Sequence, residues 1–244
     1  MTQRSIPNAT HPVPEGAMEV WLAFGARVLP GWLGYVCNRK LKRRLCNKST
    51  DTFSEILADT GPGDLCIDLG ANIGEITARL AASGAEVISF EPDPDTFAVL
   101  ARNTADLPNV TLHQQAAGAR AEQLMLRRSK RWDPSDPARH SAANSIVHDS
   151  GPMSDENSVP VEVVDFPAFL ADLDRDIRIL KIDIEGAEWD LLEGLLDSPV
   201  LSRIDCIFVE THERVDPARN IPRFNALNRR VIALDRPYIN LFWV

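Results

Sequence analysis

From residue 65 onward, short apolar runs alternate with segments whose apolar positions recur every three or four residues. Runs of the first kind predict strands at Leu65–Leu69, Glu86–Phe90, Val110–Gln114, Ile177–Ile182 and Ile204–Val209. Segments of the second kind predict helices at Ile73–Ala82, Asp95–Asp106, Phe166–Leu173, Glu188–Leu196 and Pro217–Leu227. Two further short strands are expected near Val231–Leu234 and Ile239–Trp243. Strand–helix alternation with near-continuous apolar strands predicts an α/β domain around a mainly parallel sheet.

The rhythm fails in two places. Residues 17–60 read as helical up to the Gly61-Pro-Gly-Asp turn, and residues 1–16, with three prolines, read as a loose arm. Between about 122 and 160, strand-like Leu124–Arg127 and Val159–Val164 flank a polar, Pro- and Ser-bearing insertion near 129–158. Such an insertion reads as a substrate-side flap or mobile loop. The expected organisation is an arm and helical extension over 1–50 and one domain over 51–244, without internal repeats.

Composition narrows the partners. The 244 residues carry 35 acids against 26 Lys and Arg, a net charge of −9, which disfavours broad nucleic-acid binding. The four cysteines have no metal-ligand spacing, and Cys66 and Cys206 lie in apolar runs as small hydrophobes. A reducing cytoplasm is the expected setting, since the N-terminus lacks the apolar core of a secretion signal. The stretch Ala17–Cys37 is apolar but broken by Glu19, Arg27 and Pro30, and it runs into Arg39, Lys40, Lys42, Arg43 and Arg44. It reads either as an amphipathic segment on an anionic membrane or as a helix pair covering the sheet, a partner or the substrate mouth. The overall acidity and the lack of a lipidation signal favour the second, so membrane contact is not expected. Oligomeric state is not legible.

The densest chemistry lies where the first strand meets its helix, in Asp68-Leu-Gly70-Ala-Asn72-Ile-Gly74. This is the position at which open α/β sheets hold nucleotide-like ligands. A dinucleotide loop needs three glycines spaced G-x-G-x-x-G; only G-x-x-x-G is present, and the phosphate-binding G-x-x-x-x-G-K-[ST] loop is absent. A carboxylate at Asp68 would repel pyrophosphate and attract a cation. S-adenosylmethionine, with its sulfonium and ammonium groups, fits where NAD fits badly. Glu91, 17 residues beyond Gly74, ends the second strand in Phe-Glu-Pro, where an acid can accept both hydroxyls of a ribose. Gln115, in the loop after the third strand, is a weaker candidate for the adenine side.

Two more strand ends carry chemistry. Asp183 and Glu185 follow the strand through Lys181, and Glu188 and Asp190 open the next helix, where capping accounts for them equally well. Glu210 and His212 end the following strand, on the same rim. Two uses remain open: His212, Asp183 or Glu185 as general base, or Asp183, Glu185 and Glu210 as oxygen ligands of a hard divalent cation.

Together, Gly61-Pro-Gly-Asp, Asp68 to Gly74, Phe90-Glu-Pro92 and Lys181-Ile-Asp-Ile-Glu-Gly-Ala-Glu188 resemble the FkbM family of S-adenosylmethionine-dependent methyltransferases. Glu210-Thr-His212 is compatible with the family's next strand end. The likeness spans about residues 50–235. It implies a seven-stranded Rossmann-like fold with helices on both faces, and O-methylation of a hydroxyl on a small molecule or sugar. It also implies that Asp68, Gly70, Asn72 and Gly74 surround the methionine part of the cofactor and Glu91 the ribose. Two rival readings are an NAD-dependent oxidoreductase and a non-catalytic cofactor-binding module. The first expects a catalytic Tyr/Lys or similar pair, and the two tyrosines, Tyr35 and Tyr238, are not near the rim.

Overall fold

The computed structural model describes residues 11–129, 132–133, 135–136 and 153–243, the side chains of 129 and 153–156 excepted. Most of the insertion near 129–158 and most of the N-terminal arm therefore lie outside the described residues. Helices α1 (Ala17–Val28) and α2 (Gly31–Ala58) come first. The alternating part follows as β1 (Leu65–Leu69), α3 (Glu75–Ala82), β2 (Glu86–Phe90), α4 (Pro94–Asn103) and β3 (Val110–His113). Next come β4 (Ala116–Gly118), β5 (Glu122–Ser129), β6 (Met153–Asp165) and α5 (Phe166–Leu173). The chain closes with β7 (Ile177–Ile182), α6 (Glu188–Leu196), β8 (Ile204–Val209), α7 (Pro217–Ile232) and β9 (Tyr238–Asn240).

The main sheet has the order β3-β2-β1-β7-β8-β9, with every pair parallel. β1 and β7 are buried along their whole length, which is why their residues are mostly apolar, with Asp68, Arg178 and Lys181 as buried charged exceptions. Among the described residues this sheet has six strands, where the family likeness implied seven. Val231–Leu234, expected as a strand, instead closes α7 and the turn after it, because Val231 continues the buried spacing of Phe224 and Leu227. A separate small sheet, β4-β6-β5, carries the strands flanking the insertion, and β5 runs antiparallel to β6. It is tied to the main body by Arg128, whose guanidinium donates to both Asp93 oxygens at 2.6 and 2.9 Å. Asp93 also caps α4 by accepting from the Asp95 and Thr96 amides.

The N-terminal part is more firmly joined than a loose extension. Helix α2 runs uninterrupted through residue 50. The end of the arm is packed as well: His11 stacks on Tyr238 at 5.3 Å and its Nδ1 lies 3.1 Å from the Ile239 carbonyl oxygen. Buried Lys42 of α2 donates to the Thr211 carbonyl and hydroxyl oxygens, each at 2.8 Å, and pairs with Glu213 at 3.2 Å. A helix far away in sequence thus holds the loop that follows β8.

Strand order reverses between β1 and β7, where the turn after β1 meets the end of β7. Gly70 accepts no side chain: its φ is +73°, and a Cβ would lie 1.8 Å from the Asp183 carbonyl oxygen. Gly70→Ala is expected to cost about 3 kcal/mol or more, read by urea unfolding. Gly194→Ala, in α6 with nothing within 4 Å of the new methyl, should instead stabilise by up to about 1 kcal/mol. Equal effects from the two would contradict this packing.

Candidate functional site

A cleft of about 200 Å³ lies over the diverging ends of β1, β2 and β7. One wall is Gly70, Asn72, Phe90, Glu91 and Pro92; the opposite wall is Asp183, Ile184, Glu185, Glu210 and Arg214. Gln115, Ala116, Ala117 and Leu126 complete it. The wall carries four acids (Glu91, Asp183, Glu185, Glu210) and one cation (Arg214), a field suited to a positively charged ligand.

Glu91 sits on the first wall with its carboxylate already anchored. Its Oε2 accepts from the Asn72 amide at 3.0 Å and its Oε1 from the Asp93 amide at 2.9 Å. Burial pushes its pKa up to about 7, against the pull of those two amides. Asn72, at φ +51°, turns its amide toward Glu91 from the β1–α3 loop. Gln115 faces the cleft and donates to Glu162 at 3.2 Å. His113 is packing: it stacks on Phe90 at 4.7 Å.

Two expected loop residues are placed differently from the expectation. Asp68 is fully buried behind the loop and does not line the cleft. Its Oδ2 accepts from Thr77 at 2.7 Å, and its Oδ1 lies 3.2 Å from Lys181 Nζ. Its charge is therefore met inside the protein, and the argument that it repels pyrophosphate does not survive. Gly74 begins α3 at φ +94°, packed so that a Cβ would lie 2.7 Å from Leu100, and it also stays off the cleft wall.

Lys181 was legible as a charge in an apolar strand, but not as the junction of the site. Its ammonium donates to the Gly70 carbonyl at 2.8 Å and lies 3.6 Å from Asp183 Oδ2. Burial pulls its pKa down, yet Asp68 and Asp183 outweigh that and hold it above the ordinary lysine value.

Behind the far wall, and not lining the cleft itself, His212 is buried among four carboxylates. Nε2 lies 3.3 Å from Glu185, 3.7 Å from Glu210 and 3.8 Å from Asp183. Nδ1 lies 3.3 Å from Glu188 Oε1. Glu188 is itself fully buried and also accepts from the His212 and Gly186 amides, each at 2.7 Å. Capping thus explains only part of Glu188: it shapes the loop and orients the imidazole. Burial lowers the His212 pKa, but Glu188 and the other acids overcome it and raise the value to about 9. For Glu188 burial pushes upward and His212 wins, leaving the carboxyl below its usual range. Glu185, at φ +50°, is raised to about 7 by burial, opposed by His212 and by Arg214, which donates to it at 2.7 Å. Glu210 is raised by burial and by Asp183. Arg214 carried no signal in the sequence. One ligand atom each from Asp183, Glu185 and His212 lie within 4.8 Å of one another, so these three could hold a metal ion.

A second cavity, of about 260 Å³, adjoins this rim. It is lined by Asn38, Arg39, Lys42 and Arg43 of α2, by Glu210 to Arg214, and by Tyr35, which α2 brings to the rim against the expectation that it lies away from it.

The family described as Methyltransferase FkbM domain matches residues 68–231. A hexuronic acid methyltransferase, AglP, of Haloferax volcanii is 26% identical over 168 residues, 68% of this chain and 64% of that protein. Methyltransferase 1 of Beauveria bassiana is 29% identical over 161 residues, 59% of this chain and 63% of that protein. The chain thus spans just under two thirds of these relatives' lengths. A ribosomal RNA small subunit methyltransferase A of Moorella thermoacetica is 40% identical, over 55 residues covering 22% of this chain and 19% of that protein. No solved structure gives a significant match.

The His212–Glu188 pair has a pH signature. His212 is raised above its unfolded value, so its stabilisation is complete below about pH 6.5 and is lost as pH rises through about 9. Glu188 is lowered, so its share is lost only in acid, below the ordinary glutamate value. In metal-free protein, the melting-temperature gap between wild type and His212→Gln should be widest near pH 6 and narrow toward about pH 10. A gap that is constant or widens with pH would contradict the pairing.

Proposed function

Because the chain belongs to the FkbM methyltransferase family, we propose that it transfers a methyl group from S-adenosylmethionine to a hydroxyl oxygen of a small molecule or sugar. The observation that carries this reading is the cleft itself: Glu91 on one wall, Asp183 and Glu185 on the other, and the Gly70 turn between them. Glu91 keeps free lone pairs after accepting two amides, so it can take both hydroxyls of a ribose. Asn72 fixes that carboxylate, and Gln115 faces the adenine side. The Gly70 turn lines the cleft beside Asp183 and is where the methionine part would lie, and Asp183, Glu185 and Glu210 supply the field for its cationic groups. Asp68 and Gly74 act from behind, Asp68 through Lys181 and Thr77 and Gly74 by starting α3.

Bound S-adenosylmethionine supplies an electrophilic methyl carbon, whose bond to sulfur breaks as the bond to the acceptor oxygen forms. The protein's main contribution is to align that oxygen and exclude water. The hydroxyl proton passes to a rim carboxylate. Glu185 is the best placed, on the cleft wall and held by Arg214, with a pKa near neutrality. His212, charged at neutral pH, serves as the counter-charge that keeps Glu185 and Glu210 in place. A sugar acceptor draws support from the relative named as a hexuronic acid methyltransferase.

A second reading is favoured by one observation: Glu188 orients His212 from behind, as carboxylates do for metal-bound histidines. In that reading Asp183, Glu185 and His212 hold a divalent cation that activates the hydroxyl. Chelator added to an active preparation separates the two. Unchanged turnover supports the carboxylate base; turnover lost and restored by a divalent cation supports the metal.

By calorimetry, Glu91→Ala should weaken S-adenosylhomocysteine binding by at least about tenfold, the equivalent of ~1.4 kcal/mol. Glu185→Gln should lose about 10²–10⁴-fold in kcat, far more than it weakens that affinity. Unchanged affinity in Glu91→Ala would remove the cofactor assignment, and full activity in Glu185→Gln would remove the base.

A further inference from the structure

Helices α1 and α2 form a hairpin whose outer side is apolar at the tip and basic behind it. On α1, Val20, Trp21, Phe24 and Val28 share one face by their spacing, opposite the buried Leu22, Gly25 and Ala26. Trp21 and Phe24 are 61% and 62% exposed. Past the turn, Trp32 and Leu33 on α2 are 68% and 59% exposed. Exposed Arg39, Lys40 and Arg43 follow on that same face of α2, one above another at helical spacing. Between Ala17 and Lys48 there are seven Lys or Arg and one acid, in a chain whose net charge is −9.

The hairpin is not a loose pair. A Cβ on Gly25 would lie 2.7 Å from Cys37 Sγ, and one on Gly34 would lie 2.3 Å from the Leu29 carbonyl oxygen. The two helices are locked at small residues, and Lys42 locks α2 to the body. Leu22, Ala26, Cys37, Leu41 and Leu45 already supply the side that packs inward. Covering the sheet therefore does not account for the outer aromatics.

We propose that this outer face seats the protein on the surface of an anionic lipid bilayer, with Trp21, Phe24, Trp32 and Leu33 in the interface and Arg39, Lys40 and Arg43 against the headgroups. The charge pattern selects this occupant: the basic run stands apart from an otherwise acidic protein, which suits an anionic surface. Aromatic side chains are suited to the boundary between headgroups and acyl chains. Lys40 follows Trp32 by eight residues, about 12 Å along a helix, a separation that fits apolar groups below and cations at headgroup level. None of the described helices is long and apolar enough to cross a membrane, and the hairpin enters the interface of one leaflet by its tip. Arg39 and Arg43 also line the cavity beside Glu210 and His212, so a bilayer held here sits next to the rim.

The test is flotation of the full chain with phosphatidylcholine vesicles, with and without phosphatidylserine. Binding should require phosphatidylserine and fall at raised salt. The variant carrying Trp21→Ser, Phe24→Ser and Trp32→Ser should lose at least about tenfold in vesicle affinity while its melting temperature holds. The Arg39→Gln, Lys40→Gln, Arg43→Gln variant, with the aromatics intact, should lose the preference for phosphatidylserine. Failure to float, equal binding to neutral vesicles, or unchanged binding by both variants would overturn the proposal. So would a dimer in sedimentation that the serine variant converts to monomer, since a second copy would then cover the face.

Discussion

The Lys181 ammonium stands where the two halves of the parallel sheet part, and the site is arranged around it. It bridges Asp68 on β1 and Asp183 after β7, and it donates to the Gly70 carbonyl in the turn between the first strand and its helix. A buried charge needs partners, and a buried carboxylate needs them equally; each here is the other's answer. The consequence is geometric. The Gly70 turn and the strand end that carries the rim acids are tied to one point, so neither can shift alone.

The rim repeats this logic with histidine in place of lysine. His212 is held from behind by Glu188 and faces Asp183, Glu185 and Glu210 in front. Both cations set the positions of acids that would otherwise repel one another. Both also leave the cleft wall itself acidic, since four of its five charged side chains are carboxylates. Attraction for a cationic ligand is then a property of the far wall, and Asp68 contributes by keeping that wall and the turn in register.

Much of this was legible in the residues, for physical reasons. Parallel strands covered on both faces are mostly apolar, so β1, β2, β7 and β8 announced themselves, and strand ends of an open sheet are where ligands go. Glu91, Asp183, Glu185 and Glu210 were found by that rule and do line one cleft. The direction in which Asp68 points was not legible, because it depends on Lys181, a residue more than a hundred positions away. The same holds for Lys42 and Glu213, and for Arg214 on Glu185. Val231–Leu234 misled because its residues suit a strand, while the buried row of Phe224, Leu227 and Val231 extends the helix. The apolar face of α1 was visible as composition, but whether it packed inward could be learned only from its exposure.

The central claim is that the cleft over the Gly70 turn receives the methyl donor. A crystal structure with S-adenosylhomocysteine tests it most directly. The account predicts the ribose hydroxyls on Glu91, the thioether between the turn and the Asp183–Glu185 wall, and Asp68 still paired with Lys181, untouched by the ligand. A nucleoside bound elsewhere, or Asp68 turned from Lys181 to contact it, would contradict the account.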